Sequence, residues 1–260
     1  MKRQAYDMSL LKKDMCSKLS LFLESELRMT ASGLRKVTKS NHLVEASYKL
    51  SLNEQRLVLA AISKLDSRKP LPKNGIKITA FEFQETFKDA IDPKYAYEAL
   101  KTAIRDLYER SITKIEGDHR RDTRWLSEKE EYESHDGYVT IHFSEKIAPY
   151  LVHLEGLFTS YTIKQVAGLR SVYSIRLFEM LMRFKDTGFL TITLDDFKDR
   201  LEISKKYKWH DTKKRVIEPA IKELKARGQL DIEFVPIKKG RAVTGIEFFF
   251  QQTEQIALEL

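Results

Sequence analysis

Cysteine is nearly absent: Cys16 stands alone in 260 residues. One thiol can neither close an intramolecular disulfide nor build a cysteine-rich zinc cluster, and it suits a reducing compartment, so the cytoplasm is the expected location. Long apolar runs are missing as well. The N-terminal stretch MKRQAYDMSLLKKDMCSKLSLFLESEL begins with cations as a signal peptide does, but Asp14, Lys18, Glu24 and Glu26 interrupt any run that would serve as a leader or bilayer span. No membrane-embedded role is expected.

Signatures of catalysis are missing too. No G-x-x-x-x-G-K-[ST] run exists to cradle phosphates. The histidines, at 42, 119, 135, 142, 153 and 210, form no H-E-x-x-H and no His-x-His pair, which removes a zinc site and the metal site of a rolling-circle nickase. Glu128, Glu130, Glu131 and Glu133 put four carboxylates together. They can in principle hold magnesium, but a solvated charged loop is the simpler reading. No active site, metal or cofactor is expected.

What is abundant is positive charge. The 46 Lys and Arg outnumber 38 Asp and Glu, leaving +8, in a chain that is 42% hydrophobic and 32% charged. That composition suits a globular protein of two domains, and the charge suits a polyanionic partner, nucleic acid or an acidic membrane surface. At the N-terminus Met8, Leu11, Met15, Leu19, Phe22 and Leu23 recur at helical spacing, as a helix packed on its own protein, on a partner or on a second copy would show. TASGLRKVTKSN, residues 30 to 41, reads as a linker. The expected division is an arm over 1–38, domains over 39–165 and 166–252, and a tail over 253–260.

The two domains repeat one another. ITAFEF at 78–83 is answered by ITLDDF at 192–197, each of the form I-T-x-x-acid-F, and AIRDL at 103–107 is answered by AIKEL at 220–224. A helical pattern precedes each pair, SLNEQRLVLAAISKL at 51–65 and SVYSIRLFEMLMRF at 171–184, and a β-rich run follows. Helix, short strand, helix, longer helix and two-stranded hairpin is the order of a winged helix-turn-helix domain, so the expected fold is α+β with tandem winged helices related by pseudo-symmetry. Residues 142–170 are apolar and helix-competent, and predict a semi-rigid connection. The first wing is expected to pair strands near 111–116 and 137–143 across the charged loop DHRRDTRWLSEKEEYESHD.

In that architecture the third helix enters the major groove and the wing touches the flanking backbone. Over 211–226, Val216, Ile217, Ala220, Ile221 and Leu224 share one face, opposite Arg215 and Lys222, with Lys214 at its flank and Lys213 nearer the apolar side. Asp211 can cap the N-terminus by accepting a backbone N–H. Cations in a first turn oppose the helix dipole, a cost that DNA phosphate or guanine would offset. Pro219 is expected to bend this helix, the alternative being that the helix only starts there. Lys238, Lys239 and Arg241 surround Gly240 at the tip of the following hairpin. In the first domain Lys94, Lys101 and Arg105 face outward, mixed with acids.

KSNHLVEASYKLSLNEQR at 39–56, YSIRLFEML at 173–181, KKRVIEPAIKEL at 213–224 and IKKGRAVTGIEFFF at 237–250 resemble the iteron-binding plasmid replication initiators of the F plasmid type. The resemblance covers residues 37–252. It implies monomers on directly repeated origin DNA, origin opening, recruitment of the host initiator and replicative helicase, repression of its own gene by a homodimer on an inverted repeat, and self-association through the first domain. It places recognition-helix cations on Lys213, Lys214 and Arg215, and wing cations on Lys238, Lys239 and Arg241. Thr212, where the family has an aromatic, and the N-terminal arm depart from it. A repressor of the same architecture without replication activity is the alternative; a nicking enzyme would have to cleave DNA with a metal.

Overall fold

The computed structural model describes residues 35–116, 119–132 and 137–253, so the arm helix and most of the expected tail lie outside the described residues. The chain enters on β1 (Lys36–Ser40) and α1 (Asn41–Glu45), where the Ser40 hydroxyl accepts the Leu43 N–H at 3.2 Å. Val37 on β1 is buried, so the fold begins inside the stretch assigned to the arm. A first module follows: α2 (Leu52–Ile62), β2 (Ile76–Thr79), α3 (Ala80–Thr86), a 3₁₀ turn (Pro93–Tyr95) and α4 (Ala96–Tyr108). Four strands come next: β3 (Ser111–Glu116), β4 (His119–Arg124), β5 (Leu126–Tyr132) and β6 (Tyr138–Phe143).

The pairing corrects the expected first wing. β3 pairs with β4, not with β6, while β5 pairs with β6 in a sheet of order β2-β6-β5. Most of the stretch expected as a charged loop is therefore β4 and β5. Trp125, between them, decides the arrangement: its side chain is fully buried, and its backbone N–H donates to Arg110 O at 3.2 Å. The wing is β5–β6, and β3–β4 is an extra hairpin.

The connection is not one continuous helix. Beyond a 3₁₀ turn (Ala148–Tyr150) it forms β7 (Phe158–Thr162), antiparallel to β1, and then α5 (Lys164–Ala167). Strand pairing supplies the stiffness expected of a helix. The second module runs α6 (Val172–Met182), β8 (Phe189–Thr193), α7 (Leu194–Arg200), α8 (Trp209–Thr212), a π-helical turn (Lys213–Ile217), α9 (Glu218–Arg227), β9 (Leu230–Lys239) and β10 (Ala242–Gln252). Its sheet order, β8-β10-β9, repeats that of the first module: the entering strand pairs with the last, and the last with the middle one.

The repeated sequence elements occupy equivalent structural places. In I-T-x-x-acid-F the isoleucine, Ile78 or Ile192, is the last but one residue of the strand and faces the core. The threonine is the N-cap: Thr79 accepts the Glu82 N–H at 3.0 Å and Thr193 the Asp196 N–H at 3.2 Å. The phenylalanine, Phe83 or Phe197, is fully buried. Truncating either ring to alanine should cost about 3–5 kcal/mol. Ala103, Ile104 and Leu107 in one copy, and Ala220, Ile221 and Leu224 in the other, seat the third helix on this core. One repeated device is too short to register as a motif. Gly75 and Gly188 each stand one residue before the entering strand with φ of +68° and +67°, a conformation that glycine adopts without steric cost. A Cβ at Gly188 would lie 2.8 Å from Phe250 O.

Candidate nucleic-acid interface

The third helix of the second module runs unbroken from Trp209 to Arg227 through the π turn, so the reading in which it starts at Pro219 is excluded. Proline lacks an N–H, and its ring meets the carbonyl four residues back in a regular α-helix. The chain answers with a wider turn, in which the Glu218 N–H donates to Lys213 O, five residues back. The π turn holds Lys213, Lys214 and Arg215; single π turns inside helices are often found at functional sites.

Asp211 is not the N-cap. Lys208 holds that position, and Asp211, three residues on, accepts the Lys208 backbone N–H at 3.3 Å. Its carboxylate also lies 3.6 Å from Arg215 Nε, which places a negative charge in a first turn crowded with cations. The Arg215 side chain is 63% exposed, and its guanidinium sits 5.4 Å from the centre of the Tyr207 ring. Lys213 is half-buried, 3.6 Å from Glu218. Lys214 and Lys222 are exposed and have no ion-pair partner among the described residues. Val216, Ile217, Ala220, Ile221 and Leu224 are buried as the helical wheel requires. Thr212, in place of an aromatic, is fully buried.

Lys238, Lys239, Gly240 and Arg241 are all exposed at the end of the β9–β10 hairpin. Lys239 pairs with Ala242 across a two-residue turn, and Gly240 takes a φ of +62°, the left-handed entry that favours glycine. Pro236 costs the sheet little because β9 is an edge strand. Helix and wing are joined by aromatic contact: Trp209, in the first turn, meets Phe234 on β9 edge to face at 6.5 Å, and Phe234 leads to Phe248 at 6.3 Å.

The turn between α7 and α8 precedes the periodic segment, so helical spacing does not reveal it. It exposes Lys205, Lys206, Lys208 and the adjacent His210. Lys198 holds it in place by donating to Tyr207 O at 2.8 Å. The run SKKYKWH, cation-rich just ahead of a helix, was the available signal.

The first module is dressed differently. Ala96, Leu100, Ala103, Ile104 and Leu107 are buried as expected. Asp92 accepts the Lys94 N–H at 2.9 Å and starts the 3₁₀ turn ahead of α4. Lys94 is exposed; Lys101 is half-buried, with its amine 5.6 Å from the Tyr97 ring. Arg105 is turned onto the wing, where its NH2 lies 2.7 Å from Glu131 Oε2. Hydrogen bonding from Arg105, followed by that from Lys129, holds the Glu131 carboxyl below the usual carboxylate range. Beside it Tyr132 and Tyr138 stack at 4.5 Å, and Lys77 Nζ lies 3.6 Å above the Tyr138 ring. Among the described residues no group of three or more His, Cys, Asp or Glu side chains can hold a metal, and no helix is long and apolar enough to cross a membrane.

Two modules, each a helix-turn-helix completed by a hairpin wing, define a tandem winged-helix DNA-binding protein. Residues 36–182 match the family described as Initiator Replication protein, WH1, and residues 193–250 match Initiator Rep protein, WH2; the chain belongs to this family and is a plasmid replication initiator. The family is one of DNA-binding proteins, not of enzymes. The chain is similar to an uncharacterized 27.6 kDa protein of Escherichia coli, 28% identical over 210 residues that cover 75% of this chain and 87% of that protein. It is also similar to the PI protein of Escherichia coli, 25% identical over 267 residues, covering 86% and 85%. The crystal structure of Pi initiator protein in complex with iteron DNA shares the fold, with a TM-score of 0.71 at 23% identity, covering 86% of this chain and 99% of that one.

Proposed function

We propose that the protein binds directly repeated double-stranded DNA in a plasmid origin as a monomer, promotes opening of the adjacent duplex, and represses its own gene as a dimer on an inverted repeat. The observation that carries the reading is the second module's pairing of a cation-bearing third helix with a basic wing, braced by Trp209 and Phe234, in a chain whose structural relative was crystallised on iteron DNA. Arg215 is assigned a base contact, since a guanidinium can donate two hydrogen bonds to guanine O6 and N7. Lys213, Lys214, Lys222, Lys238, Lys239 and Arg241 are assigned to phosphates and flanking bases, and the turn cations Lys205, Lys206 and Lys208 join them. In the first module Lys94 and Lys101 support the backbone, and Arg105 does so when released from Glu131.

Self-association is assigned to the first module. The β3–β4 sheet has two strands, and neither outer edge is paired among the described residues, a geometry open to strand addition by a second copy. The host initiator and replicative helicase are the assigned partners after opening, and the cytoplasm is the assigned location. Footprinting on the DNA flanking its own gene tests the whole: directly repeated protections are the expected result, a single inverted site would identify a repressor without an origin role, and no protection would refute DNA recognition there.

A further inference from the structure

α6 carries charge where a core helix carries leucine. Glu179 and Arg176 on α6, and Lys39 on β1, are all buried to within 2% of full burial. Lys39 Nζ lies 2.5 Å from Glu179 Oε1, and the same oxygen accepts the Tyr161 hydroxyl of β7 at 2.5 Å. Arg176 Nη1 lies 3.6 Å from the other oxygen. Three segments thus converge on one carboxylate: the entering strand, the connector and the first helix of the second module. Burial, then the charge of Glu179, raises the Tyr161 hydroxyl well above its ordinary range, which keeps it a donor.

Arg176 also reaches into the first module. Its guanidinium donates to the Tyr48 hydroxyl and to Ala46 O at 2.8 Å, and lies 4.1 Å from the centre of the Tyr48 ring. That ring meets buried Trp125 edge on at 5.1 Å. A second tie runs along the surface. The Arg170 N–H donates to Glu223 on α9 at 2.7 Å, while its guanidinium donates to Asp89 O at 2.8 Å, just ahead of the turn that starts α4.

We propose that Glu179 is a positioning residue that fixes the separation of α4 from the 209–227 helix, and so sets the spacing between the two DNA segments that one chain reads together. Apolar contact is non-directional and tolerates sliding. A buried charge drawn away from its partners does not, because nothing in the interior replaces them. A movement of α6 away from β1 and Tyr48 separates Glu179 from Lys39 and Arg176 from Tyr48 and Ala46, so the arrangement that keeps these contacts is favoured. The assignment of function above underlies the DNA half of this proposal, and its test separates the two.

In the full chain with Cys16→Ser, spin labels at Asp106→Cys on α4 and Ala226→Cys on α9 report the distance between modules without DNA. Unlabelled protein is titrated on its footprinted site and on versions with one base pair added or removed between the two protected segments, a change of roughly 35° and about 3.4 Å along the duplex. We expect a narrow distance distribution and an affinity loss of about tenfold or more per added or removed pair in the parent. In Glu179→Gln the distribution broadens and the spacing penalty falls to roughly threefold or less. If Glu179→Gln does not fold, Lys39→Met with Glu179→Leu, which leaves neither of that pair buried alone, takes its place. An unchanged narrow distribution in the folded variant overturns the proposal. A broadened distribution with an unchanged spacing penalty overturns the spacing role. A parent with no footprint refutes the functional assignment, while the distance measurement still decides the role of Glu179.

Discussion

Arg105 Nε donates to both oxygens of Glu131, at 3.0 and 2.9 Å, so in the first module the outward arginine of the third helix is clamped to its own wing. In the second module Arg215 is met at 3.6 Å by Asp211 of its own helix and is more than half exposed. Both side chains are more than half exposed, 54% and 63%; the difference is that Arg105 is hydrogen-bonded to a carboxylate of its own wing, whereas Arg215 meets the looser carboxylate of Asp211.

Replacing Glu131 should open the first module to phosphate. Glu131→Gln removes a negative charge beside Arg105, so affinity for random DNA should rise and the slope of log K against log salt should steepen by up to about one. The clamp also predicts a pH dependence. A carboxyl depressed in the folded state contributes stability above its unfolded pKa, and loses it as pH falls through the lower folded value. Melting curves of parent and variant from neutral to acid should converge. A gap that does not narrow would show that the ionised Glu131 carboxylate is not its source.

Arg215→Ala should cost about 1–3 kcal/mol on the cognate repeat and far less on random DNA, because a lost bidentate guanine contact is a sequence-specific loss. Lys239→Ala, at the wing tip, should weaken both DNAs alike and reduce the salt slope by about one. Titrations at two salt concentrations check both. Equal losses on the two DNAs for Arg215→Ala would mean that this helix does not read bases.

Pro219→Ala restores an N–H and removes the ring that the π turn accommodates. Regularising that turn rotates Lys213, Lys214 and Arg215 against the buried face by about one residue, 100°. Cognate affinity should fall by roughly tenfold while the melting temperature does not fall. Retained specificity in a folded Pro219→Ala protein would show that the wide turn plays no part in recognition.

The repeated threonines predict a pair of stability losses. Thr79→Ala and Thr193→Ala each remove an N-cap and should destabilise by about 0.5–2 kcal/mol. Thr79 should cost more, because its hydroxyl also donates to Glu82 Oε2 at 3.4 Å, a bond that the substitution removes and that has no equivalent at Thr193 among the described residues. Denaturant titration measures both, and the opposite order would argue that helix α7 depends more on its cap than α3 does.

The repeat, the third helices and the second wing were legible in the sequence because their determinants are local. An N-cap threonine, a buried phenylalanine four residues on and a glycine between lysines each act within a turn or two of the backbone. The buried faces of α4 and α9 followed from spacing alone, since a 3.6-residue period leaves one stripe to meet the core. Partner choice among strands is a different problem. β3 is close in sequence to β4 and far from β6, yet both were chemically acceptable neighbours; burial of Trp125 and its hydrogen bond to Arg110 settle it, and these are contacts across the fold. The capping role given to Asp211 holds from a different position for a related reason: as the third helical residue it accepts the Lys208 backbone N–H, because the helix begins earlier, where Trp209 finds Phe234 on a strand more than twenty residues away. Least legible were Lys39 and Glu179, one inside the stretch read as a linker and the other inside a helical pattern, which nothing in the sequence pairs. Only tertiary packing could decide that residues 140 positions apart would exclude water together, because a lysine and a glutamate become tolerable in a core when each supplies what the other lost on leaving solvent.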